Sequence, residues 1–254
     1  MAQIHISVPW TRKPPPGVPL DAKKKSGLLG YYAFNEAAGN PRDLSGNGNH
    51  GTWSGTGQQW ARGVAQFDGS SDYIDVGTGV EVLGDHTIIA RLKVTNNDLR
   101  AGIVGSLVLT GLKGYTFEIK GTSGTAGEIA YFNNGTGWEY STGTFSSGVW
   151  ATVAVAVDID VGLRFYIDGV DAGGVADSSS APNADADPTK IGQNYVAQEF
   201  GGEMDVVMIF NRYLSPAEIA QISSNPWHLH EPVMVSVPVA AAPSAFIPQI
   251  NMVM

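Results

Sequence analysis

The sequence predicts an all-β protein, an antiparallel sandwich of two sheets carrying an extended arm at each end. Three observations lead there. Short apolar runs alternate with clusters of Gly, Asn, Asp and Ser through residues 27–224, the pattern of a sandwich or barrel. The chain holds 32 glycines and only 15% charged residues, which suits one large β domain with tails better than two domains. Prolines gather at both ends, where a fixed φ and a missing N–H exclude helix and central strand.

The elements follow in chain order. Residues 1–26 carry Pro9, Pro14, Pro15, Pro16 and Pro19 and read as an extended N-terminal arm. Within the body, strands are expected at Gly30–Phe34, Gly63–Phe67, Tyr73–Val76, His86–Val94, Ala101–Leu109, Tyr115–Lys120, Glu128–Asn133, Val149–Asp158, Gly162–Ile167, Thr189–Gln193 and Phe200–Phe210. The run Trp150 to Val157 is apolar on both alternating faces, so it is expected at the centre of a sheet covered on both sides. One segment reads as helix, Ser215 to Ile222. Ser215 caps it, Pro216 fits the first turn, and Glu218 completes a reciprocal capping box.

Residues 225–254 form the second arm. It carries Pro226, Trp227, Pro232, Pro238, Pro243, Phe246 and Pro248, and Glu231 is its only residue among Asp, Glu, Lys and Arg. Free tails are polar and charged, whereas here Val233, Val235, Val237 and Val239 alternate as in a strand. Such an arm, extended at about 3.1 Å per residue, reaches on the order of 90 Å. The expectation is an assembly arm packing on neighbouring subunits.

Composition excludes several functions. No window approaches the roughly 20 apolar residues that span a bilayer, and residues 1–19 lack an apolar export core. No membrane partner and no Sec export are expected. Zero cysteines remove disulfides, thiolate metal sites and a cysteine nucleophile. A formal net charge of -9 repels phosphate backbones, so no nucleic acid is expected.

The ordered motifs then carry a resemblance. Tyr31-Tyr32-Ala33-Phe34-Asn35-Glu36, the turn Asp43 to Gly51, Phe67-Asp68-Gly69, Asp72-Tyr73-Ile74, Phe165 to Gly169, Ile191-Gly192, Phe200-Gly201 and Met204-Asp205 through Ile219 occur in one order. Together they resemble the laminin-G-like domains of the concanavalin A-like lectin and glucanase superfamily, over about residues 28–222. The resemblance implies a jelly-roll sandwich used for binding and adhesion. The segment Asn225 to Pro232 is similar to the exit sequence of laminin-G-like proteins among tailed-bacteriophage structural genes. That resemblance implies a virion protein assembled in the bacterial cytoplasm.

Site expectations follow from these residues. The superfamily resemblance implies a calcium ion bound by Asp43, Asn47 and Asp205, oxygen ligands of the kind calcium takes; the alternative is that Asp43 and Asn47 hydrogen-bond their own turn. The sugar-contact set is Asn133, Asn134, Trp138 and Tyr140, within a wider group of loop aromatics, Trp53, Trp60, Tyr131 and Tyr195, whose alternative role is packing. Retaining glucanases need a pair of carboxyl groups, yet Glu203-Met204-Asp205-Val206-Val207-Met208 lacks the final carboxylate in either register. No catalytic residues and no enzyme are therefore expected. The leading expectation is a structural virion protein, a decoration or cement protein held by its arms to a major capsid or tail protein and to copies of itself, and displaying a glycan-binding surface. The alternative is a carbohydrate-binding host-adhesion module without an assembly role.

Overall fold

In the computed structural model, the described residues are 3–8, 13–15, 17–36, 38–55, 59–61, 63–106, 113–121, 125–133, 137–175, 182–184, 187–230 and 232–238, of which 3–8, 59–61 and 233–238 are described through their backbone. The strands in chain order are β1 (Gln3–Val8), β2 (Leu28–Tyr32), β3 (Thr52–Ser54), β4 (Gln59–Ala61), β5 (Val64–Asp68), β6 (Tyr73–Asp75), β7 (His86–Val94), β8 (Ala101–Gly105) and β9 (Tyr115–Ile119). They continue with β10 (Ile129–Asn133), β11 (Gly137–Tyr140), β12 (Ala151–Asp158), β13 (Gly162–Ile167), β14 (Val170–Val175), β15 (Lys190–Ile191), β16 (Gly201–Phe210) and β17 (Val233–Pro238), with the helix α1 (Pro216–Ser224) after β16.

Two antiparallel sheets make the sandwich. One runs β11-β10-β9-β8-β15-β6-β3, and the other runs β14-β13-β12-β7-β16-β5-β4 with β2 also on β16. Between them lies one apolar core that includes Phe67, Ile88, Leu92, Phe117, Tyr131, Val153, Val155, Phe165, Phe200 and Ile209. Each such fully buried side chain contributes about 1.5–3 kcal/mol relative to exposure. Strand β12 sits between β7 and β13, as its pattern predicts. Val153, Val155 and Val157 face the inter-sheet core, while Ala154 and Ala156 face a second cluster on the opposite side.

That second cluster explains the helix. Ile219 and Ile222 of α1 pack with Ile89, Tyr166, Met208, Phe210 and Leu214 on the outer face of the β16-bearing sheet. The expected capping box is present, Ser215 accepting from the Glu218 backbone and Glu218 from the Ser215 backbone. Arg212 anchors Glu218 at 2.7 Å.

The arms differ from expectation over their inner parts. Leu20 pairs with His230 in an antiparallel bridge, the Asp21 N–H donates to Leu229 O at 2.8 Å, and Lys24 Nζ donates to His228 O at 2.7 Å. Pro226 and Trp227, expected in an outward-reaching arm, are buried. Leu20, Trp227 and Leu229 complete the cluster over Tyr31 and Met208. The physical reason is the sheet itself: its outer face is apolar here and needs a cover. Farther out, β1 pairs with β17 antiparallel, from Gln3↔Pro238 to Val8↔Val233, so Val233, Val235 and Val237 do lie in a strand. Phe246 lies outside the described residues.

Strands β1, β3, β4, β11 and β14 had no expectation as strands; β3, β4 and β11 are short, β14 carries Gly173 and Gly174, and β1 falls in the segment read only as an extended arm. The strand expected to Leu109 is described to Gly105, residues 107–112 lying outside the described set. Among the described residues no helix is long and apolar enough to cross a membrane.

Candidate glycan-binding face

Strand register builds an aromatic face on the outside of the β11-edged sheet. Ile129 and Tyr131 of β10 point into the core, so Phe132 points out, and its partner across the hairpin is Trp138. Two residues along β11, Tyr140 lies on the same face, opposite Ala130. Trp138 stands 6.3 Å from Tyr140 with ring planes 13° apart, and 5.1 Å from Phe132. Tyr195, from the loop after β15, adds a further ring 6.3 Å from Trp138. Tyr140 is 39% exposed.

Two cations lie against these rings. The Arg100 guanidinium sits 4.6 Å from the Trp138 centroid and 5.2 Å from that of Tyr195, and Lys120 Nζ lies 4.0 Å from that of Tyr140. Arg100 Nη2 also donates to the Tyr195 hydroxyl at 3.0 Å. Lys120 pairs with Glu128 at 2.6 Å.

A buried carboxylate ties the face together. Glu118, on β9, is 1% exposed and accepts from Arg100 Nε and, at 3.0 Å, from Asn194 Nδ2. Burial pushes its carboxyl pKa up, against the opposing pull of Arg100 and Asn194. Asn194 in turn organises its own loop, its Oδ1 accepting from Val196 N at 3.2 Å and Gln198 N at 2.9 Å. The loop can lie this close because β8 carries Gly102, where a Cβ would stand 2.1 Å from the Gln193 carbonyl carbon.

Of the expected sugar contacts, Trp138 and Tyr140 are brought together here. Asn133 is a correction: it is fully buried, sharing the inward parity of Ile129 and Tyr131, and its side chain bonds the Tyr131 hydroxyl. Asn134 and the Trp60 side chain lie outside the described residues. Trp53 and Tyr131 belong to the core. The contributions of Arg100, Lys120 and Glu118 had no local signal, because Arg100 enters from the segment before β8 while Glu118 and Lys120 come from β9 and its end, far from the rings in sequence.

The opposite outer face holds a cleft of about 570 Å³ lined by Gln66, Arg91, Lys93, Trp150, Glu203 and Asp205. Glu203 pairs with Lys93 at 2.6 Å and Asp205 with Lys13 at 2.6 Å and with Arg91. The glucanase-like pair therefore does share one cleft, but Val207 and Met208, at the place of the missing acid, are fully buried apolar residues.

The residues expected to hold calcium fall into two networks. Asp43 accepts from Tyr31 N, Ser45 N, Ser45 Oγ and Asn49 N, and Asn47 gives its amide to Leu28 O and Leu29 O. Asp205 is neutralised by Lys13 and Arg91 on the cleft side. Among the described residues no group of three His, Cys, Asp or Glu could hold a metal. Turn hydrogen bonds fill the Asp43 carboxylate and ion pairs fill that of Asp205.

Two face-packed antiparallel sheets with an aromatic outer surface define a lectin-like jelly roll. Residues 68–220 match the laminin-G-type family described as the concanavalin A-like lectin/glucanases superfamily, and the chain belongs to that family. No curated protein matches the chain. Among solved structures it is similar to domain 4 of AbnA, an extracellular arabinanase of Geobacillus stearothermophilus, in complex with arabinotriose: TM-score 0.63, 17% identity, 78% of this chain and 98% of that one. The CBM40 of a Ruminococcus gnavus sialidase bound to α2,3 sialyllactose gives TM-score 0.53, 16% identity, 63% and 96%. The binding domain of botulinum neurotoxin serotype D gives TM-score 0.61 and 14% identity over 84% of this chain; this chain spans about half of that one, 56%.

Proposed function

We propose that the chain is a non-enzymatic glycan-binding module whose contact surface is the face built by Trp138, Tyr140 and Tyr195. The observation that carries this reading is the grouping of three surface rings with Arg100 and Lys120 set against them. Sugar rings present C–H faces to aromatic rings and hydroxyls to charged donors, and this surface offers both. The likeness to sugar-bound domains with 96% or more of their chains covered supports the same reading. A glycan array probed with wild-type chain and with Trp138→Ala tests it. Binding that falls at least tenfold in the variant is expected; a blank array, or equal binding by both chains, overturns it.

A second reading rests on the two-stranded ribbon of β1 and β17. An isolated pair of short strands is marginal in water, so a further packing partner would stabilise it. In this reading the chain is a decoration protein of a tailed-bacteriophage virion, the ribbon joining it to a capsid or tail protein or to other copies. Removing residues 233–254 is expected to leave a folded body that no longer enters particles; undiminished incorporation sinks the idea.

A further inference from the structure

Beside the aromatic face lies a recess of about 130 Å³ lined by Ser106, Asp187, Lys190, Gln193, Asn194 and Tyr195. Its position follows from the pairing of β15 with β8, Lys190 opposite Gly105, which sets Ser106 at the end of β8 next to the segment entering β15. The loop carrying Asn194 and Tyr195 forms the other wall, closed by the Gln193↔Glu199 bridge. At roughly 10–15 Å³ for each water-sized sphere, the recess takes about ten such spheres, the scale of one monosaccharide.

Its lining is fixed in place yet keeps hydrogen-bonding capacity. Lys190 Nζ donates to Gln193 Oε1 at 2.8 Å and has further N–H groups. The Tyr195 hydroxyl accepts from Arg100, which leaves its own proton to donate. Among the described residues the buried Ser106 hydroxyl has no hydrogen-bond partner, in a residue 5% exposed. Such an orphan is destabilising, and a ligand hydroxyl reaching that wall relieves it. One acid and one base line the recess, so a neutral ligand rich in hydroxyls fits better than an anion or a flat aromatic.

Resting on the glycan-binding reading above, we propose that this recess is a monosaccharide subsite, seating one neutral pyranose of a chain whose next residues stack on Trp138 and Tyr140. Tyr195 is the shared wall that joins recess to platform.

The test uses full-length chain, calorimetric titration with methyl glycosides of glucose, galactose, mannose and N-acetylglucosamine, and titration with the best glycan from the array. Ser106→Ala keeps the space and removes only the orphan hydroxyl. It is expected to hold or raise Tm while weakening both the monosaccharide and the longer glycan about fivefold. Asp187→Ala, at an exposed position, is expected to weaken both likewise. Trp138→Ala is expected to weaken only the longer glycan. If Trp138→Ala abolishes binding of the longer glycan while Ser106→Ala and Asp187→Ala change nothing, the subsite is wrong and the platform stands. If no glycan binds the wild-type chain, both readings fall.

Discussion

Asn194 Nδ2 donates to the buried Oε2 of Glu118 at 3.0 Å, so one carboxylate reaches from the middle of a sheet to the loop that carries Tyr195. Arg100 occupies the other oxygen of the same group. The aromatic face is therefore held from beneath, and its rings are positioned before any ligand arrives.

Glu118→Ala is expected to remove both anchors at once. It leaves Arg100 partly buried, at 29% side-chain exposure, without its partner, and frees the Asn194 amide. Breaking a buried pair costs 3–5 kcal/mol, and the exposure of Arg100 lowers that to about 2 kcal/mol. Urea denaturation measures the loss. Glu118→Gln, which keeps an acceptor for Asn194, is expected to recover part of it, and an unaltered midpoint for Glu118→Ala would show that the carboxylate anchors nothing.

Gly102→Ala tests the approach of loop to sheet. The added methyl would stand 2.1 Å from the Gln193 carbonyl carbon and 2.2 Å from Asn194 N, both backbone atoms. Loop and strand must separate, at about 1–3 kcal/mol for an overpacked site. Glycan affinity should fall together with stability, because Tyr195 moves with the loop. Stability lost with affinity intact would place Tyr195 outside the binding face.

The turn from Asp43 to Gly51 is expected to be indifferent to calcium. Four protein donors already fill the Asp43 carboxylate. A ligand present at 100 times its Kd stabilises the folded state by about 2.7 kcal/mol, a shift that a thermal melt resolves easily. Equal melting temperatures in excess calcium and in chelator are the expected result; a rise of several degrees with calcium would mean that the ion displaces those donors.

Local signals in the sequence were the ones that survived folding. The capping box at Ser215 and Glu218, the central strand around Val153, and the jelly-roll motif order all depend on neighbours a few residues apart, and each appears in the structure. The aromatic face was half legible. Trp138 and Tyr140 announced themselves as rings near a turn, but Arg100, Glu118 and Asn194 meet them only through strand register and loop closure. Asn133 was misjudged although the alternation contained the answer: it shares parity with Ile129 and Tyr131, and both point inward. The inner arms misled for a different reason. Proline spacing marks an extended chain, yet whether that chain reaches outward or lies down depends on the apolar outer face around Met208 and Phe210, which no arm residue encodes.

Acid should weaken the fold through His86. The ring is fully buried, its Nδ1 lies 2.7 Å from Gly84 O, and its Nε2 lies 2.8 Å from the Tyr131 hydroxyl. With Nδ1–H donating to the carbonyl, Nε2 accepts the tyrosine proton, an arrangement that requires the neutral ring. Burial accordingly pushes its pKa down to about 4 from an ordinary 6.5. The unfolded chain then binds more protons than the folded one between those values, so stability is fully present above pH 6.5 and declines as pH falls toward 4. At 1.36 kcal/mol per unit the loss from this residue is about 3 kcal/mol. His228 and His230 are also pushed down by burial and act in the same direction. Glu218, held at about 2 chiefly by its hydrogen bond from Arg212, loses its contribution only below its ordinary 4.5 and stays out of this window. His86→Gln is therefore expected to flatten, without abolishing, the dependence of unfolding free energy on pH between 6.5 and 4.5. Parallel pH profiles for the two chains would mean that His86 is protonated in the folded protein and that the Tyr131 contact is made some other way.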